Sequence, residues 1–209
     1  MKGRRTYTAL DELRARHAQW AERIRRRLRD FSAVEQSEFF HELVYCLLTP
    51  QSSAVNAAKV VDALKRAGEG SPATAILANR DHYIRFHNTK AKRIAEARAM
   101  KPEIIRHLSN GSGPTEVREW LVENVKGLGW KEASHFLRNI GYRNLAILDR
   151  HVLKHLKRHG VVRALPKTLT RRRYLAIEKR FSKFADDIGI PMDELDLLFW
   201  SAETGEILK

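Results

Sequence analysis

Residues 125–141 read Val-Lys-Gly-Leu-Gly-Trp-Lys-Glu-Ala-Ser-His-Phe-Leu-Arg-Asn-Ile-Gly. Gly127 and Gly129 flank Leu128 in a tight turn. Glycines let a backbone approach a ligand closely. The N–H groups at the start of a following helix make a ready phosphate site. The chemistry this predicts is capture of a nucleic-acid backbone without reading base sequence. Lys131 stands just past the turn, and Asp149 follows in Ile147-Leu148-Asp149-Arg150-His151-Val152. By residue type alone, Lys131 is a surface lysine able to touch a phosphate. Asp149 is a helix N-cap, and an N-cap carboxylate can be structural and chemical at once.

Composition narrows the partner. The chain has 209 residues, with 39 Lys and Arg against 25 Asp and Glu, a formal charge of +14. A polyanion is expected, nucleic acid first and an anionic membrane surface second. The single cysteine, Cys46, excludes a disulfide framework, a four-Cys zinc site and a four-Cys iron–sulfur cluster. No apolar stretch approaches the roughly 18 residues of a spanning helix. No apolar run follows the basic start Met1-Lys2-Gly3-Arg4-Arg5, so no secretory signal is visible. The expectation is a soluble cytoplasmic protein with no membrane partner.

The elements that must position these residues are helical. Strand-like alternation is scarce and helical periodicity recurs. Phe39, Phe40, Leu43, Val44, Leu47 and Leu48 form one stripe, stopped by Pro50. Val55, Ala58, Val61 and Leu64 form another, stopped by Gly68 and Gly70. Ser71-Pro72 reads as a cap followed by a first-turn proline. Further helices are expected over 89–100, 117–124, 130–140, 150–159, 169–187 and 193–200, with a loop at 109–114. Ala133, Phe136, Leu137 and Ile140 define the buried stripe after the glycine turn, with Lys131 roughly opposite. Leu128 is expected to plug the turn into the core. Two helices around such a turn make a helix–hairpin–helix. The whole predicts about ten short helices and an all-α fold. The Arg-rich stretch from Arg14 to Arg29 is either a solvated helix face or a set of phosphate contacts.

In combination these segments carry a family resemblance over roughly residues 35–155. Gly127-Leu128-Gly129-Trp130-Lys131, followed by Asp149 in a Leu-Asp-x-His context, resembles the helix–hairpin–helix DNA glycosylase superfamily. Leu47-Leu48-Thr49-Pro50-Gln51-Ser52-Ser53-Ala54 resembles the segment of those enzymes that supplies a glutamine near DNA. Phe86-His87-Asn88-Thr89-Lys90-Ala91-Lys92 resembles their wedge loop before an Asn-x-Lys-Ala helix start. A chain without the four cysteines that runs from Trp200 to Lys209 is similar to the small 8-oxoguanine DNA glycosylase/lyases of archaea and some bacteria.

That resemblance implies a two-lobed helix–hairpin–helix glycosylase fold without an iron–sulfur cluster. Residues 32–143 would form a helical barrel domain with the hairpin at 117–140. Residues 1–31 and 144–209 would form the second helical domain. Duplex DNA containing 8-oxoguanine would lie across the cleft, bound by a monomer, with Gly127 and Gly129 on its backbone. Damage chemistry on a stacked base requires flipping the nucleotide out. Phe86 and Gln51 would wedge and fill the gap. Trp200 would stack on the flipped base, and Lys209 would enter its pocket. Asp149 would stabilise charge on the sugar. Lys131 would attack C1′ and form a Schiff base, and β-elimination would nick the strand. No metal or organic cofactor is required.

Two other readings stay open: a same-fold glycosylase for oxidised pyrimidines, and a non-catalytic hairpin protein that only binds DNA. His151, His155 and His159 have metal-friendly helical spacing. They carry no obvious carboxylate partner in the sequence, and Lys154, Lys157 and Arg158 interleave them. Asp193 and Asp196 precede Trp200, and one of them could face the base pocket.

Overall fold

The computed structural model describes residues 6–68 and 71–207. Among them are eleven α-helices: α1 (Leu10–Ser32), α2 (Phe39–Leu48), α3 (Ala54–Ala67), α4 (Ala73–Ala78), α5 (His87–Ala99), α6 (Lys101–Ser109), α7 (Pro114–Asn124), α8 (Trp130–Asn139), α9 (Arg150–Arg158), α10 (Arg171–Ile188) and α11 (Met192–Thr204). Short 3-10 turns occupy Gln36–Glu38 and Arg80–His82, and no strand occurs among the described residues. The protein is all-α. No described helix is long and apolar enough to cross a membrane. Gly70 and Lys209 lie outside the described residues.

Some elements differ from the sequence reading. The Arg-rich stretch belongs to a long helix, α1, of 23 residues. Pro102 stands in the first turn of α6, which breaks it from α5 at Met100. Helix α3 buries Ala57, Val60, Val61 and Leu64, while Val55 and Ala58 are exposed. A strict spacing of three walks around a helix of 3.6 residues per turn, so Val55 and Ala58 drift off the buried face.

The helices cluster into two compact units, residues 33–140 and residues 6–32 with 141–207. In the first, α2 packs against α3, α5 and α8, and α7 packs on α8. Helix α8 is buried continuously from Ala133 to Asn139, not on one stripe. Its buried Ser134 and Asn139 find partners on neighbouring helices. Asn139 donates to Glu42 Oε2 at 3.1 Å and accepts from Arg138 Nη2 at 3.1 Å. The buried Arg118 of α7 donates to Ser134 Oγ at 3.1 Å and lies 4.8 Å over the Trp130 ring. Cys46 is fully buried, and burial pushes its thiol far up, so it is inert.

In the second unit, α1, α9 and α10 pack on α11. Glu194 of α11 accepts from Arg25 Nε at 3.0 Å and lies 2.6 Å from His17 Nε2. His155 and His159 stack on Phe199 with ring centroids at 4.6 and 5.7 Å. Glu203 supplies the carboxylate the sequence did not reveal, 3.6 Å from His151 Nδ1 and 3.3 Å from His155 Nε2. It also binds Lys154 Nζ at 3.0 Å. No group of three or more His, Cys, Asp or Glu is placed to hold a metal among the described residues. The histidines are stacking partners.

Burial pushes His155 down to about 4, and lowers His159 as well. The folded state favours neutral imidazole, so the unfolded chain binds more protons between pH 4 and the ordinary histidine value near 6.5. The stability this contributes is complete above about pH 6.5 and is lost as pH falls toward 4. Thermal melts should show a loss on the order of 2–3 kcal/mol across that window. His155→Gln should melt lower at pH 7 and show a shallower decline. An unchanged pH slope in that variant would remove His155 as the cause.

Candidate functional site

The hairpin is built from Val125 to Gly129, between α7 and α8. The buried Val125 and Leu128 anchor it, and Leu128 N–H donates to the Val125 carbonyl at 3.2 Å. Gly127 has φ +97, a left-handed conformation, and a Cβ there would lie 2.6 Å from Arg93 Cδ. Gly129 is different. Its φ of −89 is open to any residue, but a Cβ would lie 3.0 Å from Glu132 Oε2. Gly127 is required by its conformation, whereas at Gly129 the contact is with the flexible end of the Glu132 side chain, which can move aside. Gly129 caps α8, so the first N–H groups of that helix are orphaned and available to an anion.

Lys131 sits in this first turn, with its side chain 28% exposed and Nζ 3.0 Å from Glu132 Oε1. The sequence reading did not anticipate that partner. To act as a nucleophile the amine must leave the pair. Both partners are part-buried, at 28% and 17% exposure, so water screens the pair only in part. Because the rest of α8 is buried, its first turn is the part that can meet a ligand.

Asp149 is held by a different device. The segment Leu145–Leu148 is buried but forms no strand. Its backbone must find other partners. Tyr174 of α10 donates its hydroxyl to the Ala146 carbonyl at 2.5 Å and accepts from Leu148 N–H at 3.3 Å. Glu178 accepts from Ala146 N–H at 3.0 Å. Asp149 then caps α9, its Oδ1 accepting from His151 N–H at 2.9 Å and Val152 N–H at 2.8 Å. Its Oδ2 has no partner among the described residues. Trp200 of α11 is half-buried and meets His151 edge-on at 6.4 Å. His151 thus links Asp149 to Trp200. Asp193 is buried, and its Oδ2 accepts from Asn144 N–H at 3.1 Å, holding a loop residue with φ 64. Asp196 is buried as well.

Gln51 and Phe86 share an unusual feature. Both are exposed non-glycine residues in left-handed backbone, with φ 56 and 60. Such positions cost about 1–2 kcal/mol each and persist only where neighbours impose them. Phe86, 50% exposed, is no core aromatic, and Arg85 lies 5.0 Å over its ring. The two loops meet at Ser52, whose Oγ accepts from Arg85 N–H at 3.1 Å and from Lys90 Nζ at 3.1 Å. Sequence reasoning named Lys90 only as part of the motif that starts α5 and gave it no role of its own. It lies in helical register with the buried Ala91, Ile94 and Ala97, and a lysine there was the available signal.

The structure thus joins Gln51 to Phe86 and Asp149 to Trp200. Lys131, Gly127, Gly129, Gln51 and Phe86 belong to one unit, Asp149 and Trp200 to the other. The base-pocket candidate Lys209 lies outside the described residues.

A hairpin that offers backbone donors, with an accessible lysine beside it, suits contact with a nucleic-acid backbone. Comparison with known proteins agrees. The family model described as 8-oxoguanine DNA glycosylase matches residues 24–190. The 8-oxoguanine DNA glycosylase/AP lyase of Korarchaeum cryptofilum is 41% identical over 206 residues, covering 95% of this chain and 96% of the relative. That of Fusobacterium nucleatum is 39% identical, covering 95% and 97%. The crystal structure of Methanocaldococcus jannaschii 8-oxoguanine DNA glycosylase superposes with TM-score 0.86 and 30% identity, covering 99% of this chain and 100% of that one. The same organism's 8-oxoguanine glycosylase/lyase in complex with a 15mer DNA containing 8-oxoguanine gives TM-score 0.85 at 32% identity, covering 95% and 100%. Matched over most of its length in sequence and in structure, this chain belongs to the 8-oxoguanine DNA glycosylase family.

Proposed function

We propose that this protein excises 8-oxoguanine from duplex DNA and then nicks the strand at the resulting site. The observation that carries the reading is Lys131: an accessible amine in the first turn of an otherwise buried helix, beside a phosphate-binding hairpin, in a chain of this family. The proposed barrel domain spans 32–143, with 1–31 and 144–209 as the second domain. The proposed protein acts as a monomer in the cytoplasm of a prokaryotic cell.

In this reading, backbone N–H groups around Gly127 and Gly129 hold a phosphate near the lesion. The damaged nucleotide is flipped, with Phe86 wedging the duplex and Gln51 occupying the vacated space. Trp200 stacks on the extruded base, and Lys209 contributes to its pocket. As the base begins to leave, positive charge grows on the deoxyribose, and the Asp149 carboxylate offsets it. Lys131 Nζ gives up a proton to solvent and, as the neutral amine, forms a bond to C1′. The C1′–N9 bond breaks with its electron pair going to the base, which takes up a proton. The sugar ring opens to an imine on Nζ. The imine acidifies C2′, a base removes that proton, and the C3′–O bond breaks. Water then hydrolyses the imine and regenerates the amine.

The test is borohydride trapping on a duplex with 8-oxoguanine opposite cytosine. A covalent complex is expected, and Lys131→Gln should abolish it. Trapping only on a thymine glycol duplex would keep the lysine chemistry and replace the substrate. Tight binding to undamaged duplex with no trapping on either would leave a DNA-binding module.

Two Asp149 variants separate capping from chemistry. Asn caps as well as Asp, so Asp149→Asn should keep the melting temperature while excision falls about 100-fold. Asp149→Ala should lose activity and also about 1 kcal/mol of stability. Full activity in Asp149→Asn would leave the residue a cap alone.

A further inference from the structure

We propose that Lys90 is a positioning residue that locks the loops bearing Gln51 and Phe86 into one rigid gap-filling device. The inference rests on the glycosylase reading above and assigns a role to a residue outside its chemistry.

Lys90 is 2% exposed. Its Nζ donates to the Leu48 carbonyl at 2.7 Å, the Pro50 carbonyl at 2.7 Å and Ser52 Oγ at 3.1 Å. All three donors of the ammonium are used. Leu48 ends α2, so its carbonyl is an orphan at the negative end of a helix. Pro50 and Ser52 are the residues on either side of Gln51. The same Lys90 donates its main-chain N–H to the Phe86 carbonyl at 3.0 Å. One residue therefore holds the backbone of both loops, and Ser52 Oγ adds a cross-tie through Arg85 N–H at 3.1 Å.

No carboxylate pairs with Lys90 among the described residues. Burial and the neighbouring Arg93 push it down to about 8, the signature of an ammonium held at a cost. What the cost supports is visible in the backbone. Gln51 and Phe86 both sit at positive φ and both point outward, and both turns are closed by Lys90. A wedge and a filler that must enter a base stack together gain from rigid supports, because a floppy loop has to be ordered during insertion.

The experiment uses single-turnover excision of 8-oxoguanine opposite cytosine. Insertion into the helix is followed by the fluorescence of 2-aminopurine placed beside the lesion. Lys90→Met keeps the length and removes the donors. Its maximal rate should fall about tenfold, with half-saturating protein concentration changed less than twofold and a smaller fluorescence rise. In a Gln51→Ala/Phe86→Ala background the same change should cost less than twofold. Equal losses in both backgrounds would overturn the proposal, as would a loss confined to duplex affinity. If Lys90→Met does not fold by circular dichroism, Ser52→Ala removes only the cross-tie. It should show a drop of roughly threefold with the same dependence on background, and an undiminished rate there would also overturn the proposal. No excision by the unsubstituted protein would instead mark failure of the glycosylase reading itself.

Discussion

The continuous burial of α8 constrains the rest of its unit. A helix with one apolar stripe can leave polar side chains in water, but Ser134, His135, Arg138 and Asn139 are all removed from it. Each must find a partner inside, because an unpaired buried polar group costs about 1–3 kcal/mol. Glu42 from α2 and Arg118 from α7 meet that demand for Asn139 and Ser134, and His135 packs edge-on against Tyr45 with ring centroids at 5.8 Å. These bonds fix α8 in rotation as well as in depth, which apolar packing alone does less strictly. The first turn of the helix, with Lys131, inherits that fixed orientation. The hairpin before it is held in turn by Leu128 in the core and by Gly127 in a conformation other residues resist.

Asp149 reaches the same precision by another route. A buried extended segment with no neighbouring strand is a poor structural element unless something replaces the missing ladder. Tyr174 and Glu178, one helical turn apart on α10, supply the acceptors and donor that a strand would have offered. The segment can then deliver Asp149 to the start of α9 without a sheet. Both proposed catalytic side chains thus stand at helix N-termini whose approach is pinned by buried polar contacts. Helix ends suit this work because they leave backbone donors for substrate or cap.

The helix–hairpin–helix, its buried leucine and the stripe Ala133, Phe136, Leu137 and Ile140 were legible in the sequence, because glycines and a 3.6-residue period leave direct marks. The all-α class was legible for the same reason. Partners brought together only by tertiary folding were not. Glu203 is far in sequence from His151 and His155, and no local pattern announces the meeting. The left-handed backbone of Gln51 and Phe86 was illegible because non-glycine residues carry no signal of positive φ. Lys90 is the instructive omission. Its place in a buried register was readable, but lysines on helices are so often solvated that the register carried little weight.

The division of labour among the cations follows from these placements. A formal charge of +14 attracts any polyanion, and that attraction cannot distinguish a lesion. Arg14, Arg23, Arg26 and Arg29 on the exposed face of α1 suit this general task. In the proposed reading the hairpin adds a phosphate contact made by backbone donors, so no side chain is consumed in it. Lys131, in the same first turn as those donors, is paired with the part-buried Glu132 carboxylate. In the proposed reaction that matters: a lysine committed to a phosphate could not also attack C1′, whereas one paired with a neighbouring carboxylate is released when a flipped nucleotide arrives. Discrimination then falls to the groups that meet a base only after it has left the stack, and to the rigid loops that keep it out.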